Sequence, residues 1–200
     1  MTMLELDLRR VYGAYPTGVA VVAGLVAGEP VGIAASSFVP VSLDPPLVSV
    51  CVAHSSTTWP RLRTVPRIGI SVLGAHQEAA GRRLGARTGD RFAGVPWRST
   101  ANGGVLIPGA AAWYECGVER HVPAGDHDIV IFRVHDLDVT PDVAPLVFHA
   151  GGFHRLEPPR PPCDRAPGPP VNGGARGRVG RAVHERGSAA AGCAAVRAGR

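Results

Sequence analysis

The sequence predicts a mainly β protein in which antiparallel strands close into a barrel and short helices intervene. Apolar runs rich in Val and Ile recur between residues 19 and 139, and turn residues separate one run from the next. Both features are typical of an antiparallel sheet that closes into a barrel. The spacing between runs is too irregular, and the helical segments are too few, for an alternating parallel α/β sheet.

The first predicted element is an amphipathic helix over residues 3–13, because its apolar residues recur at helical spacing. Pro16 and Gly18 follow and end it. Two shorter helices are expected near residues 57–64 and 76–87. The predicted strands span residues 19–26, 31–35, 47–53, 68–73, 113–122 and 129–139, with a turn at residues 28–30 and a final strand after residues 149–154.

The composition changes near Glu157. Residues 157–200 contain seven Pro and eight Gly among Arg and Ala, with almost no large apolar side chains. Such a segment cannot bury enough surface to offset the entropy of ordering it, so we predict one domain over residues 1–156 and a disordered tail over residues 157–200. The tail is either a flexible basic segment that touches anionic surfaces or a coding accident, such as a frameshift in a GC-rich gene.

The net charge of +5 belongs to this tail. Residues 1–156 contain 13 Arg and 13 acidic residues, whereas residues 157–200 contain 8 Arg and 3 acidic residues. The neutral domain therefore gives no electrostatic reason to expect nucleic-acid binding. Lys does not occur in the sequence, which excludes a Lys Schiff base and a P-loop Lys.

The four cysteines stand far apart without a C-x-x-C pair, so neither a zinc site nor a disulfide framework is expected. The sequence also predicts neither a secretory leader nor a membrane span. We therefore expect a soluble, cytoplasmic protein that holds no metal and binds no membrane.

Two clusters of hydroxyl side chains follow neighbouring strands. Ser36 and Ser37 close one apolar strand, a turn around Asp44 reverses the chain, and residues 55–58 follow the next strand. Short donors at the ends of adjacent strands can converge on one flat, phosphorylated ligand. The second cluster precedes Pro60 and fits the cap and first turn of a helix, where free N–H groups attract phosphate. An ordinary capped helix without a ligand is the alternative.

A histidine flanked by two carboxylates lies between two long predicted strands, in residues 125–128 (Gly-Asp-His-Asp). It could meet a ligand edge or a phosphate, and an ordinary turn histidine is the alternative. Residues 149–154 contain paired glycines that permit a close approach of the backbone. Their two histidines are expected on the surface rather than as metal ligands, and no Ser-His-Asp order or pair of acids stands out.

Several short motifs follow one another in a fixed order: Tyr-Pro-Thr-Gly-Val at 15–19, Ala-Ser-Ser-Phe at 35–38, Ser-Leu-Asp-Pro-Pro-Leu at 42–47, Ser-Ser-Thr at 55–57, Asp-Arg-Phe at 90–92, Gly-Asp-His at 125–127 and His-Ala-Gly-Gly-Phe at 149–153. Together they resemble the short-chain flavin reductases, the small component of two-component flavin-dependent monooxygenases. The resemblance covers about residues 6–156.

The resemblance implies an FMN-binding split β-barrel with Greek-key-like connections, normally a homodimer with flavin sites near the subunit interface. By matching position, the isoalloxazine and ribityl chain would contact Ala35, Ser36, Ser37 and Phe38. The ribityl and phosphate oxygens would contact Ser55, Ser56 and Thr57, while Arg91 and Phe92 would close the phosphate end. NADH or NADPH would contact His127, Gly151, Gly152 and Phe153.

The implied function is an NAD(P)H:flavin oxidoreductase that transfers hydride between two cofactors, without a catalytic residue of its own, and supplies reduced flavin to a separate oxygenase. One alternative is an FMN-binding electron-transfer or redox-sensing protein without NAD(P)H turnover, and another is a basic adaptor that acts through the tail. His54 and Phe153 depart from residues common in the family, which leaves open NADH or NADPH and FMN or FAD.

Overall fold

The computed structural model describes residues 3–156. The predicted tail over residues 157–200 lies outside the described residues, so the predicted domain boundary remains a prediction. The predicted fold class is confirmed: the described chain is mainly antiparallel β structure with short helices.

The helices are α1 (Met3–Gly13), α2 (Trp59–Leu62) and α3 (Glu78–Leu84), and a 3-10 turn over Ala75–Gln77 leads into α3. The helix predicted over residues 3–13 is confirmed. The one predicted over residues 57–64 is only four residues long, because Thr64 and Pro66 follow it and the chain turns back towards the next strand. No helix among the described residues is long and apolar enough to cross a membrane.

The strands are β1 (Thr17–Gly18), β2 (Ala20–Val26), β3 (Glu29–Ala35), β4 (Val39–Leu43), β5 (Pro46–Ala53), β6 (Ile68–Val72), β7 (Arg98–Ser99), β8 (Val105–Leu106), β9 (Ala112–Ala124), β10 (His127–Val139), β11 (Leu146–His149) and β12 (Gly152–Arg155). The six predicted strands are present. The sequence missed β4, which contains Pro40 and lies at a sheet edge, and the short strands β1, β7, β8 and β11. Residues 149–154, expected to precede the final strand, instead contain the turn between β11 and β12.

Seven strands form one antiparallel sheet in the order β3-β2-β6-β9-β10-β5-β4. Strands from distant positions in this order contribute to one core: Val31 of β3, Ile70 of β6 and Val50 of β5 all pack there. The sheet must therefore curl round this core. Trp59 and Leu62 of α2 are buried in the same core and cover one end of it.

Strand β2 is buried on both faces. Ala20 and Val22 point into the core inside the curled sheet, whereas Val21 and Ala23 pack in a second core with residues that include Leu84 of α3. A three-stranded sheet, in the order β1-β11-β12, lies on the side of the second core, where Leu146 of β11 is buried. Two-sided burial explains why β2 reads as a continuous apolar run in the sequence.

Two cysteines lie in the described region, and both are free thiols. Cys116 is buried in the core inside the sheet, and burial raises the pKa of its thiol to about 12. Cys51 lies on β5 and is exposed. A group of three His, Cys, Asp or Glu side chains that could hold a metal ion does not occur among residues 3–156.

Gly69 of β6 provides a test of the packing between β6 and β8. A Cβ atom at this position would overlap the backbone carbonyl of Val105, which cannot move aside as a side chain could. We expect Gly69→Ala to lower the free energy of unfolding by about 2–3 kcal/mol, measured by urea denaturation. Gly18→Ala is the matched control, because no atom lies within 4 Å of its added Cβ. Equal stability of the two variants would contradict this account of the packing.

Candidate functional site

The ends of three strands meet at one cavity of about 360 Å³. Residues 33–37 at the end of β3 form one wall, Cys51 to Ala53 of β5 form another, and Ser56 and His127 complete the lining. The register explains the last contact, because His127 at the start of β10 lies opposite Ala53 at the end of β5. The structure thus brings together five of the predicted site residues: Ala35, Ser36, Ser37, Ser56 and His127.

The hydroxyl of Ser37 forms two hydrogen bonds within the protein. It donates to the carbonyl oxygen of Cys51 at 3.2 Å and accepts from the N–H of Cys51 at 3.0 Å. Because Val39 of β4 pairs with Ser49 of β5, Ser37 lies opposite Cys51 in the same register, and this pair of hydrogen bonds continues the β4–β5 pairing. Ser37 therefore shapes the wall of the cavity, while the neighbouring Ser36 side chain is exposed to it.

Phe38 does not line this cavity. Its half-buried ring packs against the core inside the sheet, with its centroid 5.4 Å from that of Tyr114. Ser55 is exposed and also lies outside the lining. The structure therefore separates these two predicted site residues from the five that it brings together.

A second cavity of about 280 Å³ begins where the first ends, since it is lined by Gly32 of β3 and by Thr57 and Thr58. Its other walls carry two of the predicted site residues, Arg91 and Phe92, together with Arg61 and Arg87. Glu29 and Asp90 also lie in the lining, so the cavity contains three cationic and two anionic side chains. Sequence reasoning missed Arg87, because nothing in the local pattern distinguishes it from a surface arginine.

Arg91 is fixed by three elements. Its Nε donates to the carbonyl of Ala86 at 2.7 Å, and its Nη1 donates to the carbonyl of Gly32 at 3.3 Å and to the hydroxyl of Thr58 at 2.8 Å. Its Nη2 has no hydrogen-bond partner among residues 3–156, and the Arg91 side chain to which it belongs lines the cavity. A guanidinium held in this way is preorganised to bind an anion.

Phe92 is only 8% exposed and supports the same loop. Its N–H donates to the Asp90 carboxylate at 2.9 Å, which closes a tight turn around Arg91. A Cβ on Gly32 would lie 3.1 Å from the Phe92 ring and 2.7 Å from the Cβ of Ala23. Position 32 therefore requires glycine for β3 to pass beside this ring.

The hydroxyl cluster before α2 divides its side chains between the start of the helix and the second cavity. The hydroxyl of Ser56 accepts from the N–H of Trp59 at 3.2 Å, so Ser56, rather than the N-cap residue Thr58, bonds the first free N–H of the helix. The hydroxyl of Thr58 accepts from Arg91, whereas Thr57 is exposed and lines the second cavity. With only four residues in α2, the side chains and Arg91, rather than a helix dipole, carry the electrostatics here.

His127 occupies the mouth of the first cavity. Its Nδ1 bonds the carboxylate of Asp126 at 2.7 Å, and this hydrogen bond lowers the pKa of the Asp126 carboxyl. On the other side of the strand, Asp128 accepts from Nε2 of His54 at 2.9 Å, which lowers the pKa of the Asp128 carboxyl. Both carboxylates are therefore ionised near neutral pH, and each is paired with an imidazole.

Phe153 lines a third cavity of about 380 Å³, together with Ser36, Arg82 and Phe148. Its ring stacks edge-on against Phe148 at 5.4 Å, and the guanidinium of Arg82 lies 4.9 Å above it. Because Ser36 lines both the first and the third cavity, the two adjoin. Gly151, with φ of 81°, forms the turn that returns β12 beside β11, and neither Gly151 nor Gly152 lines this cavity.

These three neighbouring cavities combine apolar walls in the first, which we call the slot, with exposed hydroxyls and a guanidinium held by hydrogen bonds. The slot suits a flat ring, the hydroxyls suit a polyol chain and the guanidinium suits a phosphate.

Comparison with known proteins agrees with this chemistry. The sequence profile of the flavin reductase like domain matches residues 12–157. The flavin reductase of Pseudomonas putida is 38% identical over 146 residues, which cover 72% of this chain and 86% of that protein. The reductase subunit of a flavin-dependent monooxygenase from Rhodococcus jostii is 33% identical over 150 residues, or 75% of this chain and 77% of that protein.

Solved structures agree as well. The Streptomyces globisporus NADH:FAD oxidoreductase, in complex with NAD and FAD fragments, is 39% identical and superposes with a TM-score of 0.74, covering 78% of this chain and 95% of that one. The matched domain, the level of identity and the shared fold lead to one conclusion: this chain belongs to the flavin reductase like domain family.

Proposed function

We propose that the protein is an NAD(P)H:flavin oxidoreductase that reduces FMN or FAD and passes reduced flavin to a separate oxygenase. One observation carries the proposal: the slot lined by Ala35, Ser36 and His127 lies beside the cavity lined by Arg91, because Ser56 of the first lining is followed by Thr57 of the second. Relatives named as flavin reductases and as reductase subunits of monooxygenases support the reaction and the separate partner.

The residues present fit a flavin. Ala35 and Val52 give the slot apolar walls for a flat ring, and the exposed hydroxyls of Ser36 and Thr57 can meet a ribityl chain. The free Nη2 of Arg91 can donate to a phosphate in the second cavity. Flavin bound there would supply the hydride acceptor, and NAD(P)H the hydride.

The protein's own contribution is to hold two ligands in contact. His127 at one side of the slot and Phe153 in the adjoining cavity can bind the nicotinamide dinucleotide from two directions. Such positioning supplies much of the rate when the reacting atoms belong to the ligands. No protein nucleophile is needed, and His127 serves as a binding residue rather than a proton donor.

A homodimer accompanies this function in our proposal. Val39, Val41 and Leu43 expose apolar side chains along β4, the edge strand of the large sheet, and Leu43 is 95% exposed. An exposed apolar edge strand favours association. β4 begins directly after Ser37 and Phe38, so a second copy packed on it would lie beside the flavin slot.

The reaction is tested by mixing the purified protein with NADH or NADPH and free FMN or FAD and following the nicotinamide absorbance. We expect oxidation with at least one pair. Bound flavin without oxidation by any pair would instead indicate an electron-transfer or redox-sensing protein.

His127→Ala tests the nicotinamide side of the slot. Losing one hydrogen-bonding group to the dinucleotide should raise the KM for NAD(P)H about tenfold. Flavin affinity, measured by fluorescence titration, should stay within about twofold, because Ser36, Thr57 and Arg91 are retained. An equal loss of affinity for both ligands would contradict the assigned role.

Arg91→Ala tests the phosphate side. Without this guanidinium, flavin affinity should fall about tenfold or more, and riboflavin, which lacks the phosphate, should lose far less. Arg63→Ala is the control, since Arg63 is exposed and outside the second cavity. Equal losses for FMN and riboflavin would show that Arg91 acts only on the fold of its loop.

Leu43→Asp tests the homodimer. Placing a charge on the apolar edge should weaken self-association about tenfold or more, seen as a shift towards monomer mass in sedimentation equilibrium. Leu156→Asp, which changes an exposed leucine outside β4, should leave the mass distribution unchanged. A wild-type protein that sediments as a monomer at every concentration would contradict the proposal.

A further inference from the structure

A set of hydrogen bonds joins the loop that follows β5 to the turn between β9 and β10. The N–H of His54 donates to the carbonyl of Asp126 at 2.9 Å, and Nε2 of the same histidine bonds the Asp128 carboxylate at 2.9 Å. The second oxygen of that carboxylate lies 3.7 Å from Nδ1 of His121 on β9. One carboxylate on β10 thus contacts both the loop after β5 and strand β9.

These bonds lie where the regular ladder stops. The last ladder pair of β5 and β10 is Ala53 with His127, and the bond from the N–H of His54 to the carbonyl of Asp126 extends this register by one position. Beyond it, β5 continues into the loop that carries Ser56 and Thr57, and the turn around Gly125 precedes β10. The contacts of His54 are therefore the connections that relate these two segments beyond the ladder.

The two segments differ in how firmly they are held. The loop has anchors of its own, because the N–H of Ser56 donates to the carbonyl of Ala53 at 2.9 Å and its hydroxyl accepts from Trp59. The turn is more exposed: the Asp126 side chain is 93% exposed and Gly125 has a φ of 65°. Loss of the His54 side chain breaks its bond to Asp128 beside His127 and leaves both the N–H bond to Asp126 and the anchors of the loop in place, so we expect its effect at the start of β10 rather than in the loop.

We propose that His54 and Asp128 act together as positioning residues that fix the turn carrying His127 against the flavin loop. Neither side chain lines the first cavity, so both act through His127. The proposal rests on the function proposed above, in which His127 binds the nicotinamide dinucleotide. Binding of NAD(P)H then depends on two residues that do not contact that ligand.

A double-mutant cycle tests whether the two residues work as one unit. His54→Ala and Asp128→Ala should each raise the KM for NAD(P)H about tenfold, with kcat and flavin affinity within about twofold of wild type. The double variant should be no worse than either single variant, because each change already breaks the same contact. Additive losses, or a loss in kcat with KM unchanged, would overturn the proposal.

Two further variants sharpen the test. His54→Gln can place an amide nitrogen near the position of Nε2, so it should recover most of the lost affinity for NAD(P)H. His135→Ala removes an exposed histidine from the same strand as Asp128 and should behave as wild type. A His54→Ala variant that cannot be distinguished from His135→Ala would refute the assignment.

Amide hydrogen exchange gives a readout that does not depend on turnover. In the His54→Ala and Asp128→Ala variants, exchange at residues 125–128 should quicken about tenfold relative to wild type, while residues 55–58 change little. Unchanged exchange at the turn would overturn the positioning role even in an active enzyme. Faster exchange in a protein that oxidises no NAD(P)H would support the role of the pair and contradict the proposed function instead.

Discussion

The burial of β2 on both faces is the constraint on which the rest of the structure depends. Its side chains alternate between two cores, so the large sheet cannot lie flat with one face exposed to solvent. Curling the sheet encloses the first core, and α3 with the three-stranded sheet covers the second. Burial of apolar surface at roughly 25 cal/mol per Å² makes this arrangement favourable.

Curling the sheet also creates the site. It brings the end of β3 close to the end of β5, which are far apart in the strand order, so residues of both strands line the first cavity. The slot lies between the ends of β3 and β5, which no ladder pairs with each other. A fully paired barrel would have no such opening, so the break in hydrogen bonding between strands is the feature that provides room for a flat ligand.

Polar side chains around the slot divide into two groups. Ser37, Ser56 and His127 line the slot and form hydrogen bonds within the protein, while Ser36 and Thr57 line the cavities and are exposed. Arg91 belongs to both groups, because two of its nitrogens hold the loops and the third has no partner among the described residues. Local preorganisation of this kind explains how a domain without net charge can favour an anionic cofactor.

The sequence by itself determined the strand-rich fold, α1, the long central strands and the motifs that revealed the family, because apolar periodicity and turn residues are local properties. It could not separate Phe38 from Ser36, since both follow the same strand, nor find Arg87 or the bonds from His54 to Asp128. Those depend on which strand ends meet after the sheet curls. Only the tertiary structure decides this, because contacts between residues far apart in the chain follow from packing around a shared core rather than from local pattern.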